Sequence, residues 1–342
     1  MTTQVAFLFP GQGSQAVGMG ADIFASSPAA RQVFETVDKV LGISLSDLCF
    51  HGPEDVLRET INAQPAIVTV SLALLAAFQE ALSPDSSWSS PLVPSYTAGH
   101  SVGEYAALVA SHALDLTSAV RLVRERGRLM HHEGTVCPGG MAAVVGLEVE
   151  ALQEVCQQAT KEMSATHSVG STAHPGQGQV AVANFNTPGQ IVISGEQRAL
   201  ARAMELARER GAKRVIPLAV SGAFHSRVMQ PAAAGLARAI EATSVQDAAI
   251  PIIGNINAAP LTEAQAIREE LAQQIATPVQ WIYTIEYLTR AGVTTFIEIG
   301  PGQALTGMVK RIAKKVTTLN ISNGAEIKKA VTVAREAGLV PY

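Results

Sequence analysis

The segment Gly99-His100-Ser101-Val102-Gly103-Glu104 carries the strongest chemical signal in the sequence. It fits the pattern Gly-x-Ser-x-Gly, in which a sharp turn lifts the serine hydroxyl out of the chain and the glycines let neighbouring backbone approach closely. A short β-rich run precedes the segment, and a helical pattern follows it from residue 102 to about residue 111. The start of such a helix offers free N–H groups to a developing oxyanion. The pattern and its setting predict that Ser101 is a nucleophile that carries an acyl group.

A second glycine-rich segment, Phe9-Pro10-Gly11-Gln12-Gly13-Ser14-Gln15, follows a strand predicted over residues 5–9. Its Gly11-x-Gly13-x-x-Ala16 pattern also fits the loose template of a dinucleotide-binding turn. Two further glycines interrupt the helix whose N-terminus a phosphate would need, so we discount that interpretation. We expect instead that the loop brings a backbone N–H, that of Gln12, opposite Ser101 as a second oxyanion donor.

An arginine lies on the apolar face of the helix predicted over residues 118–131. The apolar stripe is formed by Ala119, Leu122, Val123, Leu129 and Met130. Arg126 falls on the same face, whereas solvent is expected to surround the arginines of the outer face, Arg121, Arg124 and Arg128. A guanidinium that faces a core is destabilising unless an anion meets it, and its planar pair of donors suits a carboxylate. Two interpretations stay open: an internal salt bridge to Asp or Glu, or a grip on a free carboxylate of the acyl group.

His225 is the best candidate for a general base. It follows a strand predicted over residues 214–220, at a sheet edge where catalytic groups tend to lie. His100 adjoins Ser101, so its side chain should point away from that of the serine. The remaining histidines lie in turns or at helix ends and are expected to be solvated: His51, His112, His131, His132, His167 and His174. No acidic residue is clearly placed to complete a triad, and a backbone carbonyl could orient the ring instead.

The elements that position these residues alternate between short β-rich runs and longer helical patterns, which predicts an α/β protein with a largely parallel sheet. The middle of the chain differs, with strands predicted over residues 141–147, 180–183, 190–194 and 214–220 and helices over 149–163 and 197–210. The order β-α-β-β-α-β is that of a ferredoxin-like unit. We therefore predict a small subdomain over residues 132–217, inserted into a larger domain formed by residues 1–131 and 218–342. A loop rich in Ser, Gly and His over residues 165–179 is predicted to be a mobile surface excursion.

The composition is that of a globular enzyme. Of 342 residues 47% are apolar, and 28 glycines with 17 prolines allow many turns. A net charge of −4 and a pI near 6.1 offer no basic field for nucleic acid. The cysteines are far apart and show no metal-ligand spacing, so we expect three buried free thiols in a reducing cytoplasm: Cys49, Cys137 and Cys156.

We expect no membrane association. The longest apolar stretch, residues 65–78, is broken by Thr69 and Ser71 and is expected to be too short to span a bilayer. No positively charged segment precedes the apolar residues 5–9, so a secretory signal is not predicted. These features together indicate a cytoplasmic protein.

At these motifs the sequence resembles the malonyl-CoA:acyl carrier protein transacylases over nearly its full length. The matching segments, in order, are Gly11–Gln15, Gly99–Tyr105, Arg126-Gly127, Asn184–Gln190, Phe224-His225, Pro278–Trp281 and Glu298–Gly302. The resemblance implies an α/β-hydrolase-like core with an inserted ferredoxin-like subdomain. It also implies a Ser–His dyad without an acidic third member.

The resemblance implies a role for each matched residue. The nucleophile falls on Ser101, the base on His225 and the arginine that pairs with the malonyl carboxylate on Arg126. The backbone N–H donors of the oxyanion hole fall on Gln12 and Val102. The main-chain carbonyl that orients the histidine falls on Gln274, and the matching segments place His100 and Phe224 among the substrate-binding residues.

The function implied is a two-step transfer of malonyl from malonyl-CoA to the phosphopantetheine thiol of an acyl carrier protein, with no metal or bound cofactor. Two basic pairs, Lys213-Arg214 and Lys310-Arg311, are candidates for docking the acidic carrier, or else ordinary solvated charges. The long loop over residues 165–179 and the segment Gly222-Ala223-Phe224-His225 favour a polyketide pathway over fatty-acid synthesis. An acyl hydrolase that proofreads carrier proteins is the alternative, and a non-catalytic carrier-binding module is disfavoured by Ser101 and His225. The resemblance favours a monomer.

Overall fold

The chain folds around two β-sheets. The computed structural model describes residues 4–82, 92–164, 174–336 and 339. Within these residues the strands are β1 (Gln4–Phe9), β2 (Tyr96–Gly99), β3 (Gly139–Val145), β4 (Val180–Thr187), β5 (Gln190–Glu196), β6 (Arg214–Pro217), β7 (Ile252–Ile253), β8 (Pro260–Leu261), β9 (Val293–Ile299) and β10 (Thr317–Ile321).

The helices surround these sheets. In the same described residues they are α1 (Ala21–Ser26), α2 (Pro28–Leu41), α3 (Leu45–His51), α4 (Glu54–Arg58), α5 (Thr60–Leu82), α6 (Gly103–Ala110), α7 (Leu116–Val136), α8 (Val149–Ser164), α9 (Gln197–Glu209), α10 (Gln230–Glu241), α11 (Ala264–Gln274), α12 (Trp281–Arg290), α13 (Ala304–Ile312) and α14 (Gly324–Glu336). A 3₁₀ turn, Arg227–Met229, precedes α10. The predicted α/β class is therefore confirmed.

The larger sheet has the strand order β10-β9-β1-β2-β7-β8. Its pairs are parallel except for the short β7–β8 hairpin, so the predicted parallel sheet is confirmed. Strand β1 is buried almost throughout, as expected for a central strand covered on both faces. Because β1 and β2 run parallel with Phe9 opposite Gly99, the loops that follow them emerge at the same edge of the sheet. Ligand sites of open parallel sheets form at this carboxyl edge.

Helix α5 is the core helix of the larger layer. With 23 residues, and a mean hydropathy of 1.7 in its most apolar 18-residue window, it is by length and composition alone sufficient to cross a bilayer, so the expectation that this stretch is too short was wrong. The error arose because the helix extends beyond residues 65–78 at both ends, with Pro65 inside it. Its most apolar window is 89% buried inside the protein, where it packs against α2 and α7.

The smaller sheet is antiparallel, with the order β4-β5-β3-β6, and α8 and α9 pack against it over a separate apolar cluster. The elements follow the predicted order β-α-β-β-α-β. Strand β6 ends at Pro217 rather than residue 220, because the chain turns just beyond it, where the Val220 N–H donates to the Leu218 carbonyl oxygen at 2.9 Å. The predicted loop over residues 165–179 falls largely outside the described residues.

Helix α7 continues to Val136 instead of ending near residue 131, so the predicted boundary at residue 132 falls within its last turns. Gly134 does not break the helix. A Cβ at this position would lie 2.5 Å from the carbonyl oxygen of Ser221, so the glycine allows the helix to approach that loop. The three cysteines are buried and free, as predicted.

Candidate active site

Ser101 lies on a tight turn between β2 and α6. Its backbone is left-handed, with φ of 53°, which a non-glycine residue adopts only where surrounding structure imposes it. A Cβ on Gly99 would lie 2.0 Å from the carbonyl carbon of Gly103, and a Cβ on Gly103 would lie 2.2 Å from the carbonyl oxygen of Phe9. Both glycines are therefore needed for the turn to close against β1.

The serine hydroxyl meets the imidazole of His225. Ser101 Oγ and His225 Nε2 are 2.7 Å apart, and the histidine is 3% exposed. Its Nδ1 lies 3.0 Å from the carbonyl oxygen of Gln274 and 3.1 Å from that of Thr277. Carbonyl oxygens only accept, so Nδ1 carries the proton and Nε2 is left as an acceptor for the serine proton. No carboxylate of the described residues hydrogen-bonds to this ring.

The surroundings of His225 keep its imidazole neutral. Burial, and then the positive charge of Arg126, lower the pKa of His225 from its ordinary value to about 3. Burial also lowers the pKa of His100. The imidazole of His225 is thus ready to accept a proton at neutral pH, where an ordinary histidine would be partly protonated.

Arg126 is 1% exposed and lies beside the same hydroxyl, as its place on the apolar stripe predicted. Its Nη2 donates to Ser101 Oγ at 3.1 Å and to Gln274 Oε1 at 2.9 Å, and its Nη1 donates to Gln64 Oε1 at 2.5 Å. Its Nε is buried and has no hydrogen-bond partner among the described residues. In the described part of the chain the guanidinium forms no ion pair, so the internal salt bridge considered above is not formed. The cation is held by neutral groups.

Two buried carboxyl groups lie behind this arginine. Burial and the charge of Glu270 raise the pKa of Glu104 well above its ordinary value, and burial raises the pKa of Glu270 to about 7. The Gln274 side chain separates Glu104 from Arg126: its Nε2 donates to Glu104 Oε2 and to the carbonyl oxygen of Ser101, while its Oε1 accepts from the arginine. Gln274 therefore contacts the site through its side chain as well as through its carbonyl.

The loop after β1 packs directly on the serine turn. A Cβ on Gly11 would lie 2.6 Å from the carbonyl oxygen of His100. The N–H groups of Gln12 and Val102 have no hydrogen-bond partner in the described residues, which leaves both available. The Gln12 side chain is anchored because its Oε1 accepts from Thr60 Oγ1 at 2.9 Å.

His100 and Phe224 both border the cavity beside the serine. His100 Nε2 lies 2.9 Å from Asn186 Oδ1, and the His100 ring meets that of Trp281 at a centroid distance of 5.4 Å. His100 thus joins the serine turn to the smaller sheet through β4. Phe224 is 4% exposed and packs beside Gly222, where a Cβ would lie 2.6 Å from the phenyl ring.

The sequence-based reasoning missed two side chains at this site. Asn255 Oδ1 accepts from the Ser101 N–H at 2.7 Å, and Gln64 holds Arg126 as described above. A polar residue just after a short strand was the only available signal for Asn255. Gln64 lies in the apolar start of α5, where a polar residue with no solvent needs a partner.

Three expectations about solvated side chains were wrong. His131 is half-buried, and its Nδ1 is buried with no hydrogen-bond partner among the described residues. Arg124 is half-buried, and its Nη1 donates to Ile61 O at 2.7 Å and to Asn62 Oδ1 at 2.8 Å. The helical wheel of α7 could not show that the first turns of α5 cover this face. The side chain of His174 is 15% exposed and its Nε2 lies 3.0 Å from Glu133 Oε2. His167 lies outside the described residues.

The cavity has a volume of about 230 Å³ and is lined by strands of the smaller sheet and by the loops that follow β1 and β2. Its polar wall contains Gln12, Ser101, Arg126 and His225, and its apolar walls include Met130, Met141, Val192, Leu218 and Met308. Within the described residues no group of three or more His, Cys, Asp or Glu side chains could hold a metal ion. A serine hydroxyl bonded to a neutral imidazole, with free N–H groups nearby, suits acyl transfer through a covalent ester. Fold and site thus define the class of serine-dependent acyl-transferring enzymes.

Comparison with known proteins narrows this class. The acyl transferase domain family matches residues 6–338. The malonyl CoA-acyl carrier protein transacylase of Bacillus subtilis is 43% identical over 334 residues, which are 98% of each chain, and that of Escherichia coli K12 is 37% identical over 96% of this chain and 99% of its own. The chain therefore belongs to the acyl transferase domain family, within the malonyl CoA-acyl carrier protein transacylases.

Solved structures agree with this assignment. The acyl-carrier-protein S-malonyltransferase of Bartonella henselae has a TM-score of 0.88 and 39% identity, covering 98% of this chain and all of that one. A malonyl-transacylase in complex with the holo acyl-carrier protein of a type II polyketide synthase has a TM-score of 0.85 and 35% identity, covering 97% and 100%.

Proposed function

We propose that the protein transfers a malonyl group from malonyl-CoA to the phosphopantetheine thiol of an acyl carrier protein, through a malonyl ester on Ser101. The observation that carries this proposal is the buried Arg126, whose Nη2 lies 3.1 Å from Ser101 Oγ with neutral partners around it. A malonyl thioester bears a free carboxylate two carbons from the carbonyl under attack. That carboxylate would supply the counter-ion that the arginine lacks. The names of the relatives support the same substrate and acceptor.

In the first step His225 Nε2 takes the proton of Ser101 as Oγ attacks the thioester carbonyl carbon. The N–H groups of Gln12 and Val102, which have no hydrogen-bond partner among the described residues, donate to the oxyanion and stabilise it. The carbon–sulfur bond then breaks, and the coenzyme A sulfur takes the proton from His225. The Nδ1 bonds to the Gln274 and Thr277 carbonyls favour the imidazolium that forms in between.

In the second step the phosphopantetheine thiol gives its proton to His225 and attacks the malonyl ester. The same donors hold the second oxyanion, and Ser101 Oγ regains its proton as the ester bond breaks. Neither step uses a metal ion or a redox cofactor. An acetyl group would leave Arg126 without its counter-ion, and a site built to pair a polar group discriminates strongly against an analogue that lacks it.

The carrier protein is proposed to dock beside two basic pairs, Lys213-Arg214 and Lys310-Arg311, which are exposed. Arg214 lies opposite Val145 on β3, and Val145 lies opposite Gln190 on β5. Arg311 Nη1 donates to Gln190 Oε1 at 3.0 Å. With strands about 4.8 Å apart, both pairs lie at the same end of the smaller sheet. That closeness supports a shared surface for an acidic partner.

We also propose the finer architecture and setting. The larger sheet with its helices, formed by residues 1–131 and 218–342, is taken as an α/β-hydrolase-like core. Residues 132–217 are taken as an inserted ferredoxin-like subdomain, in agreement with the strand order β4-β5-β3-β6. The protein would act in the cytoplasm as a monomer, supplying extender units to polyketide or fatty-acid synthesis.

Intact-mass measurement tests the transfer directly. The protein is mixed with malonyl-CoA, the mass of the adduct is measured, and holo carrier protein is then added. Ser101→Ala is the control and should form no adduct. A malonyl mass that appears on the protein and moves to the carrier is the expected result. Rapid loss of the adduct to water before carrier is added would favour the proofreading hydrolase instead. If the unchanged protein formed no adduct, neither enzyme function would stand.

A further inference from the structure

Asn255 contacts both limbs of the serine turn and has no part in the steps proposed above. Its side chain is buried, at 2% exposure. Its Oδ1 accepts from the backbone N–H of Ser101 at 2.7 Å, and its Nδ2 donates to the carbonyl oxygen of Gly99 at 2.7 Å. We infer that Asn255 is the positioning residue of the nucleophile, a side-chain amide that holds Ser101 in the left-handed conformation needed for attack. The inference rests on the proposed role of Ser101.

The place of Asn255 in the sheet explains why a side chain is needed here. The β2–β7 ladder ends at the pair Ala98 and Ile253, because β2 then turns sharply into α6. Two backbone groups of the turn lie beyond that ladder: the carbonyl oxygen of Gly99, an acceptor, and the N–H of Ser101, a donor. An asparagine amide presents one donor and one acceptor, so it continues the pairing where the neighbouring strand no longer can.

The backbone of Asn255 is itself fixed. Its carbonyl oxygen accepts from the Gln280 N–H at 2.8 Å, and the next N–H, that of Ile256, donates to Glu270 Oε1 at 2.8 Å. The amide is therefore attached to a rigid support on each side. Asn255 can hold the serine turn in place only if its own backbone is held in place, as these hydrogen bonds do.

Two consequences for the reaction follow from this arrangement. The N–H of Ser101 is already used, so it is not available to the oxyanion, and that role is left to Gln12 and Val102. Without the hydrogen bonds of the Asn255 side chain, Ser101 could relax from its φ of 53° toward an ordinary backbone conformation. Its Oγ would then move away from His225 Nε2, which lies 2.7 Å from it in this structure. A misplacement of about 1 Å at a reacting atom can slow a reaction about 100-fold.

The test compares Asn255→Ala and Asn255→Asp with the unchanged protein. Asn323→Asp is the matched control, because Asn323 Oδ1 also accepts a backbone N–H, that of Glu326, at the start of α14. Two rates are measured: malonylation of Ser101 in a single turnover, and labelling of Ser101 by a fluorophosphonate, in which Oγ displaces fluoride. The second rate reports on the nucleophile without any malonyl group, so it tests Asn255 even if the proposed substrate is wrong.

We expect Asn255→Ala to lower both rate constants about 100-fold, with the final amount of adduct and the half-saturating malonyl-CoA concentration unchanged. The control should keep the rates of the unchanged protein. A lower final amount of adduct at an unchanged rate constant would mean that Asn255 only supports folding, and would overturn the inference. Unchanged rates in Asn255→Ala would overturn it as well.

The aspartate variant tests the bond to Gly99 by its pH dependence. A protonated aspartic acid can accept from Ser101 N–H and donate to the Gly99 carbonyl, whereas an ionised one only accepts. Burial raises the pKa of an introduced aspartate, so its rates should recover as the pH falls from about 8 to about 6. Asn255→Ala should show no such recovery. If the two variants responded alike to pH, the donor role of Asn255 would be wrong.

Discussion

Arg126 Nη2 donates to Ser101 Oγ at 3.1 Å, so the free protein buries one positive charge at the atom expected to attack. Nη1 and Nη2 also donate to the amide oxygens of Gln64 and Gln274, and among the described residues neither donates to a carboxylate. Amide oxygens satisfy hydrogen bonds without cancelling the charge. The arginine is therefore fixed in direction yet forms no ion pair with a described carboxylate, which suits a site whose anion arrives with the substrate.

Removing this charge should abolish the preference for malonyl. We expect Arg126→Ala to slow acylation by malonyl-CoA about 100-fold or more, because an arriving carboxylate would lose its buried partner. Acylation by acetyl-CoA should change little. The preference is measured by incubating the protein with malonyl-CoA and acetyl-CoA together and determining the amount of each adduct by intact mass. Arg128→Ala, on the exposed face of the same helix, is the control and should behave as the unchanged protein. A malonyl preference that survived in Arg126→Ala would refute the role.

The acylation rate should be insensitive to pH near neutrality. The base must be neutral to accept a proton, and the pKa of His225 is lowered to about 3 by burial and by Arg126. Activity that depends on the neutral form is therefore lost only as the pH falls toward 3, not through the ordinary range near 6.5. Initial rates of adduct formation at low malonyl-CoA, from about pH 8 to about pH 5, report this ionisation in the free protein. A decline with its midpoint near 6.5 would contradict the buried neutral imidazole, and His225→Gln should be inactive throughout.

The sequence identified the side chains that meet beside Ser101 better than the side chains that support them. Ser101, His225 and Arg126 were identifiable because a turn pattern, a sheet edge and a helical stripe each mark one residue. Asn255 and the side chain of Gln274 could not be identified in this way. Their contacts join segments more than 150 residues apart in the chain, such as Ser101 with Asn255 and with Gln274. The pairing of β2 with β7 brings Asn255 to the serine turn, and the packing of the end of α11 brings Gln274 there.

The same limit explains the errors in the elements. Local residue patterns were enough to predict the short strand β2 and the alternation of strands and helices, because both depend on neighbours in sequence. The helix predicted to end near residue 131 continues to Val136, and Gly134 within it allows the close approach to Ser221. Arg124 looked solvated for a similar reason, since a helix distant in sequence covers it. Tertiary contact, not propensity, decides each of these cases.

The turn glycines should tolerate no side chain. Gly103→Ala would place a Cβ 2.2 Å from the Phe9 carbonyl oxygen, so the turn and β1 would have to separate. We expect a loss of acylation together with a lower melting temperature. Gly307→Ala is the matched control, because no described atom lies within 4 Å of the Cβ added at that helical position, and it should gain about 0.5–1 kcal/mol in stability. An active and stable Gly103→Ala would show that the tight packing of the turn is not required.

Carrier docking should depend on charge at the end of the smaller sheet. The double variant Arg214→Glu/Arg311→Glu reverses one charge in each basic pair of the proposed surface. It should raise the carrier concentration needed for half-maximal transfer about 10-fold at low salt, because charges at the rim of an interface act mainly on the rate of encounter. The defect should shrink as ionic strength rises, because screening weakens exposed pairs. Arg238→Glu, at an exposed position on α10, changes the charge in the same direction at another surface and is the control.

The measurement separates docking from chemistry by starting with protein already malonylated on Ser101 and following transfer to holo carrier protein. The rate at saturating carrier should be the same in the variant and the unchanged protein, because the dyad lies in the cavity and the altered side chains lie outside it. If the control and the double variant were equally impaired, net charge rather than this surface would govern the encounter. If neither were impaired, the carrier would have to dock elsewhere on the rim of the cavity.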